Sequence, residues 1–358
     1  MTVEQSNRTR RGGRPTIRDV AELAGVSAAT VSRVINGRPE VSESVRESVL
    51  RIVHEQGYTT GRSPSPGGGT FRTGLVAVTL PVVHHSYFSV ILDGAGEAFY
   101  EHDLSMVLSP TLHEHDREAS LLERLMHGTT DGALLILPEE SSEELSALHR
   151  AGYPFVIVDP QRQPDELAPT VSAANMSGAT EAVDHLLSLG HRRIAAITGP
   201  SGWIATDDRL RGYRAALAAA GIAPDPALRI ESDFSADGGR RAATALLALT
   251  EPPTAIFAFN DMLAIGAMQA ARRHGLSIPE GLSIVGFDDT IEASIAWPAL
   301  TTVRQPLAEM GRIAVAQLVR LLHSRRIEAL HIELETRLVV RDSTAPPTSD
   351  HSRSRLAS

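Results

Sequence analysis

Two rhythms of apolar residues divide the chain. Over residues 16–58 they recur every three or four positions in short runs, the spacing of small amphipathic helices. In TIRDVAELAGVSAATVSRVING, Thr16 is placed to cap a first helix whose apolar face is Ile17, Val20, Ala21 and Ala24. Gly25 supplies the left-handed residue that ends it. Ser27 then caps a second helix running to about Asn36, with Val31 and Val34 turned inward, and a third helix is predicted over 42–56. From about Phe71 to about Arg341 the rhythm changes. Compact apolar runs predict strands at GLVAVTL (74–80), SMVLS (105–109), GALLIL (132–137), FVIVD (155–159), RIAAITG (193–199), AIFAFN (255–260) and SIVGFD (283–288). Amphipathic helices lie between them, among them FSVILDGAGEAFYEH, GATEAVDHLLSLG, DRLRGYRAALAAAG and DMLAIGAMQAARRHG. Alternation of this kind predicts parallel sheets wound with helices on both faces. About 270 residues is long for one such unit, so two α/β subdomains are expected.

The remaining segments complete the organisation. Residues 1–15 form a basic arm expected to be disordered, 16–58 the helical head, and 71–341 the core. Residues 59–70, TTGRSPSPGGGT, read as a Gly/Pro/Ser linker, and residues 342–358 as a disordered tail.

Charge sharpens the division. The chain of 358 residues carries a formal net charge of −9, yet residues 1–65 hold 10 Arg against 7 acidic residues. A basic head on an acidic body suits a polyanion-binding module joined to something else. All 34 basic residues are Arg. Cysteine is absent, which excludes disulfides and cysteine-based zinc sites. The N-terminus lacks the apolar region of a secretory signal, and no apolar run approaches membrane-span length, so a cytoplasmic location is expected. His84, His85, His113 and His115 lie without an acidic or cysteine cluster at ligand spacing and read as loop histidines, not metal ligands. No GxxxxGK[ST] phosphate loop and no nucleophile–base constellation is visible, so neither a cofactor nor an enzyme is indicated.

Two short helices joined by a three-residue turn containing Gly form the helix-turn-helix pattern, whose second helix enters the DNA major groove. The small side chains of that helix then acquire a purpose. Ala28 and Ala29 permit close approach to base edges, and an Ala methyl packs on a thymine methyl. Thr30, Ser32 and Asn36 are able to bond phosphates, and Arg33 suits a bidentate contact to guanine. The plainer alternative is a small helical bundle with Arg33 as a solvated charge; the length of the matching pattern favours DNA.

The chain resembles transcriptional regulators of the lactose/galactose-repressor (LacI/GalR) family over nearly its whole length. The residues that carry the resemblance are the head TIRDVAELAGVSAATVSRVINGRPEVSESVRESVLRIVHEQGY and three later blocks. These are HLLSLGHRRIAAITGP, FNDMLAIGAMQAARRHGLSIPEGLSIVGFDD, and PALTTVRQP with Met310 and Gly311 beyond it. The resemblance implies an all-α helix-turn-helix head and an α/β core of two doubly wound parallel-sheet subdomains, like periplasmic binding proteins. A small ligand, a sugar above all, is then bound between the subdomains. It also implies a homodimer on a near-palindromic operator, no membrane partner, and an allosteric repressor. Thr16 and Tyr58 join the DNA-binding residues on the same ground.

The linker departs from the family pattern. A hinge helix with a leucine wedge is usual there, whereas Pro64 and Gly67 stand at the corresponding places. Arg62 is the substitute candidate for a minor-groove contact.

For the effector, the resemblance places Arg209 against the ligand; by itself the residue reads equally as a surface salt-bridge partner. Asp159, Asn260 and Asp288 end predicted strands, where ligands of α/β sheets bind. Trp203 lies six residues before Arg209 and offers a face for a sugar ring. Phe88 either lines the pocket or packs under its helix. Asp261 is expected to cap the following helix. The segment GRIAVAQLVRLLH (311–323) and the first core helix carry broad apolar stripes and are candidate dimer faces. A solute-binding protein without a regulatory role remains the alternative, and a sugar-processing enzyme ranks last.

Overall fold

In the computed structural model, the described residues are 16–35, 41–55, 73–112, 114, 129–163, 168–324, 327 and 329–348. Asn36, Tyr58, Arg62 and the linker 59–70 lie outside them. The chain divides into two compact units, Met1–Arg72 and Thr73–Ser358.

The first unit holds three helices, α1 (Ile17–Ala24), α2 (Ala28–Ile35) and α3 (Glu43–Glu55). Thr16 and Asp19 form a reciprocal capping box on α1: the Asp19 amide donates to the Thr16 hydroxyl at 3.4 Å, and the Thr16 amide to the Asp19 carboxylate at 2.7 Å. Gly25 takes φ +64°, a conformation that strains any residue with a Cβ, and turns the chain toward α2. Val20, Ala21, Val31, Val34, Val49 and Ile52 close a small core that all three helices share.

The second unit is built on two sheets of six strands. Sheet one runs β11–β5–β4–β3–β1–β2, all parallel, from β1 (Leu75–Leu80), β2 (Ser105–Pro110), β3 (Gly132–Ile136), β4 (Phe155–Val158), β5 (Thr170–Ala173) and β11 (His331–Leu334). Sheet two runs β12–β10–β9–β8–β6–β7, from β6 (Ile194–Thr198), β7 (Arg229–Glu231), β8 (Ala255–Ala258), β9 (Ser283–Asp288), β10 (Thr301–Arg304) and β12 (Arg337–Val339). Only the β10–β12 pair in sheet two is antiparallel. Around the first sheet lie α4 (Ser86–Glu101), α5 (Ser142–Arg150) and α11 (Leu307–Leu322). Around the second lie α6 (Asn175–Ser188), α7 (Ile204–Ala219), α8 (Ala236–Leu247), α9 (Asp261–Arg273) and the short α10 (Ile291–Ile295). The chain passes between subdomains after β5, β10 and β11, so each subdomain is assembled from separated stretches of sequence.

β1, β3, β4, β6, β8 and β9 are apolar runs because helices cover both faces of their sheet. The expected stripe at 311–323 belongs to a helix that begins earlier, at Leu307, and most of that stripe is consumed within the chain. Met310, Gly311, Ala314, Val315 and Leu318 are buried against α4 and sheet one. That packing sets α4 and α11 so close that a Cβ on Gly94 would lie 1.9 Å from the Ala308 carbonyl oxygen.

The expected tail at 342–358 needs correction for residues 342–348. Ser343 is fully buried: its carbonyl accepts from the Ile284 amide at 2.8 Å and its hydroxyl from the Thr301 amide at 2.8 Å. The Ala345 amide donates to the Ser283 hydroxyl at 3.0 Å. Ser, Thr and Pro composition suggested disorder, but here the polar groups complete hydrogen bonds at the end of sheet two. No helix among the described residues is long and apolar enough to cross a membrane.

Gly94→Ala is expected to destabilise the core by roughly 1–3 kcal/mol through overpacking. Thermal unfolding would show a fall of roughly 2–4 °C per kcal/mol. An exposed helical Gly→Ala exchange gains about 1 kcal/mol instead, so a rise in melting temperature would mean that α4 and α11 separate freely.

Candidate functional site

Two faces attract chemistry, one in each unit. In the head, the Ser27 hydroxyl accepts from the Thr30 amide at 3.1 Å and lies 2.9 Å from the Thr30 hydroxyl, fixing the start of α2. Val31 and Val34 are buried, whereas Ala29 and Arg33 are exposed four residues apart, one above the other on the helix surface. Ser32 is half-buried beside them. Ala28 is half-buried, with part of its surface packed on the head's core. The Thr16 hydroxyl is engaged by Asp19 at 2.8 Å, so its first role is structural.

In the core, the carboxyl ends of the strands of both sheets carry unusual backbone. Leu137 after β3, Asp159 after β4, Asp288 at the end of β9 and Asp289 next to it all adopt positive φ, from +52° to +114°. Residues with a Cβ accept such conformations only where the surroundings hold them, and they gather at functional sites.

Arg209, on α7 and 3% exposed, links these ends. Its Nε donates to Asn175 Oδ1 at 2.8 Å, Nη1 donates to the Phe259 carbonyl, and Nη2 lies 3.8 Å from Asp288 Oδ1. The guanidinium also sits 3.8 Å above the centre of the Phe287 ring. Gln305, in the crossover between β10 and α11, donates to Asp288 Oδ1 at 2.7 Å. Opposite, Tyr87 donates to Asp159 Oδ2 at 2.6 Å.

Burial governs the ionisation of this group. It raises the Asp288 carboxyl to about 7, with Arg209 and Gln305 pulling it down and Asp159 pushing it up. Burial likewise raises Asp159, against Tyr87 and Arg209, which lower it. Tyr87 is raised well above its usual range by burial and by the neighbouring Asp159.

Asp159, Arg209 and Asp288, expected from the sequence, are thus brought together. Trp203 stands at the start of α7, its ring 5.5 Å from that of Phe234, which the sequence did not single out. Asn260 caps α9 through its Oδ1, accepting from the Leu263 amide at 2.8 Å, while its Nδ2 donates to the Phe234 carbonyl at 3.2 Å. The cap expected of Asp261 therefore belongs to Asn260. Asp261 is fully buried and instead takes the Thr290 amide at 2.8 Å and the Thr302 hydroxyl at 2.5 Å. Phe88 is buried edge-on against Tyr87, with ring centres 5.3 Å apart, in the core of the first subdomain. Between its two readings, packing prevails, and its neighbour Tyr87 supplies the polar group. Tyr87, Asn175, Gln305 and Phe234 were missed; the position of Gln305 in PALTTVRQP was the available signal.

The two subdomains also touch across this region. The Ser86 hydroxyl on α4 donates to Glu292 on α10, and the Ile204 amide donates to the Gln161 carbonyl at 2.9 Å. Burial pushes the Glu292 carboxyl up, but the Ser86 bond and other local contacts outweigh it and hold it below its usual value. The arrangement offers an aromatic wall, a buried cation and carboxylates with hydrogen-bonding amides, the equipment for gripping a small polar molecule. Among the described residues no group of His, Asp and Glu is placed to hold a metal ion.

Comparison with known proteins meets both faces. Residues 16–61 match the bacterial regulatory proteins of the lacI family, and residues 183–344 match the periplasmic binding protein-like domain. The HTH-type transcriptional regulator DegA of Bacillus subtilis is 37% identical over 333 residues, covering 92% of this chain and 98% of its own. Among solved structures, a complex of the transcriptional regulator CelR with cellobiose is 35% identical, with a TM-score of 0.71 over 92% of this chain and all of its own. The lac repressor dimer bound to operator and the anti-inducer ONPF is 28% identical, with a TM-score of 0.69 over 93% of this chain and all of its own.

The buried carboxyls imply a pH dependence. Asp288 and Asp159 have folded-state pKa values above those of the unfolded chain, so their contribution is fully present below about pH 4, and that of Asp288 is lost as pH rises toward 7. The melting temperature of the core is expected to fall between about pH 4 and 7, and Asp288→Asn, which cannot ionise, is expected to flatten that fall. Equal slopes in wild type and variant would show Asp288 to be ionised throughout.

Proposed function

The chain belongs to the lacI family of bacterial regulatory proteins, and from that premise we propose that a saccharide held between its two core subdomains controls how its head binds an operator. The protein is a DNA-binding transcriptional regulator and not an enzyme; the reading as a solute-binding protein without a regulatory role leaves the head unexplained. Ala29 and Arg33 on α2 read the major groove, with Arg33 the bidentate partner of a guanine, and Thr30 and Ser32 bond the phosphates. Asn36, Tyr58 and Arg62 are proposed to add contacts to the DNA.

What supports the effector reading is the buried Arg209–Asp288–Gln305 group at the strand ends, with Trp203 at the start of the helix that carries Arg209 and packed on Phe234. An aromatic face packs on the C–H face of a sugar ring, and a guanidinium with carboxylates and amides grips hydroxyls. The cellobiose in the CelR complex is a saccharide bound by a protein of the same fold, which supports the class without naming the sugar here. Asp159 and Tyr87 contribute from the first subdomain and Arg209 and Asp288 from the second, so a ligand bridging them favours one relative arrangement of the two. Coupling of this kind is typically about 1–3 kcal/mol and reciprocal, so operator DNA changes effector affinity by the same factor.

We take the active form to be a cytoplasmic homodimeric repressor. Met106, Val107 and Leu108 on the edge strand β2, with Tyr100 on α4, form an exposed apolar surface that a second copy would cover.

A melting screen of the full chain against mono- and disaccharides, cellobiose included, tests the reading. A true effector at ~100 times its dissociation constant raises stability by about 2.7 kcal/mol, and Arg209→Ala abolishes the shift while keeping operator affinity without ligand. In footprinting, Arg33→Ala loses sequence preference while the head stays folded. A shift that survives Arg209→Ala would place the ligand elsewhere.

A further inference from the structure

Residues 341–348 cross the amino end of sheet two, the end opposite the cleft, and are tied there mainly through side chains. At the entry of β10 the Arg341 amide donates to the Thr301 hydroxyl at 2.9 Å and the Asp342 amide to the Ala299 carbonyl at 3.0 Å. At the entry of β9 the Ser343 hydroxyl donates to the Ile284 carbonyl at 2.6 Å, and the Thr348 hydroxyl to the Glu280 carbonyl at 3.3 Å.

Two histidines complete the attachment. His191, just before β6 and 1% exposed, has Nε2 2.9 Å from the Ala345 carbonyl and Nδ1 2.9 Å from the Thr254 hydroxyl, just before β8. A carbonyl only accepts, so Nε2 carries the hydrogen and Nδ1 receives the Thr254 hydroxyl. His185 on α6 has Nε2 2.9 Å from the Thr344 hydroxyl. One neutral imidazole thus joins the entries of β6 and β8 to the end of the chain.

A proton undoes that fit. A hydrogen on His191 Nδ1 turns the Thr254 hydroxyl away, toward the Arg193 carbonyl at 3.4 Å, and sets a cation among the neutral oxygens of Thr254, Ser283 and Ala345. The charged groups of the elements packed here have other tasks. Arg193 pairs with Asp225 at 3.2 Å, Arg341 with Asp289 at 2.5 Å, and the Glu181 carboxylate takes the Leu338 amide at 3.0 Å. Asp184, Arg192, Glu280 and Asp342 are exposed. Burial alone holds His185 below its ordinary 6.5. Its contribution is therefore fully present above about pH 6.5 and is lost as pH falls, the reverse of the trend set by Asp288.

We propose that residues 341–348 are an acid-released strap: when His191 or His185 takes up a proton, the strap leaves sheet two, and the second subdomain loses the bonds that close the amino end of its sheet. The regulator then has an input that does not pass through the effector cleft, and acidification loosens the core with no ligand present.

Hydrogen exchange of the full chain without ligand tests this at about pH 7.5 and about pH 5.5, with rates corrected for the intrinsic effect of pH. Peptides covering Ile284, Thr301 and residues 341–348 are expected to lose protection roughly tenfold or more in acid, because each proton taken up on opening shifts the equilibrium by up to about tenfold per pH unit. Peptides covering β3 and β4 keep theirs. His185→Gln and His191→Gln, whose side-chain amides donate but take up no proton, are expected to flatten the fall. The comparison of the two pH values in the wild-type chain decides the matter even where a variant does not fold. Strap protection that is unchanged or greater in acid overturns the proposal. So does an equal loss in β3 and β4, which marks unfolding of the whole core, or a fall of full size in both folded variants.

Discussion

A guanidinium cannot shed its charge, so burying Arg209 dictates what must surround it. Withdrawing such a cation from water costs several kcal/mol unless carbonyls, carboxylates and an aromatic face replace the solvent. Here those replacements come from four places in the chain. Asn175 opens α6, Phe259 follows β8, Phe287 and Asp288 end β9, and Gln305 in the crossover after β10 fixes Asp288. Each stands at the carboxyl end of a strand or in the segment that follows one. Parallel strands of both sheets, β5 in one and β8, β9 and β10 in the other, gather those ends, and the arginine draws on them.

The first subdomain answers with a carboxylate of its own. Asp159, held at φ +53° by the turn after β4 and by Tyr87, is buried within the electrostatic reach of Arg209. One cation thus serves acids from both halves of the core. A molecule that supplied hydroxyls between them would reduce the cost of bringing the halves together, which links binding in the cleft to their relative placement. The short backbone bond from Ile204 to Gln161 lies beside Trp203, so the aromatic wall and the contact between subdomains share a loop.

What could be read from the sequence follows from these physical demands. Strands with both faces covered had to be apolar throughout, and β3 and β4 were visible for that reason. β7, β11 and β12 have only three or four residues at sheet edges, exposed or half-buried, and gave no periodic signal. β10, TTVR, is covered but largely polar, because Thr301 and Thr302 bond to Arg341 and Asp261. In the site, Arg209 and Asp288 could be located from a strand end and a family pattern. Tyr87 and Phe234 could not, since each acquires its role through a partner far away in sequence: 72 positions separate Tyr87 from Asp159. The segment 342–348 departs from the disorder its composition predicts on the same account, because its polar side chains complete a sheet that composition does not display.

That last segment has a consequence for the order in which the protein is made. Sheet two lacks the bonds from Ser343 and Ala345 to Ile284, Thr301 and Ser283 until residues 343–345 have left the ribosome. The head, a compact unit within the first 72 residues, is synthesised roughly 15–60 s earlier at ordinary elongation rates of about 5–20 residues per second. For that interval a nascent chain carries a finished reader of DNA and an unfinished receiver of signals. A message broken before codon 343 would yield chains of the same kind, with the head complete and the core unfinished.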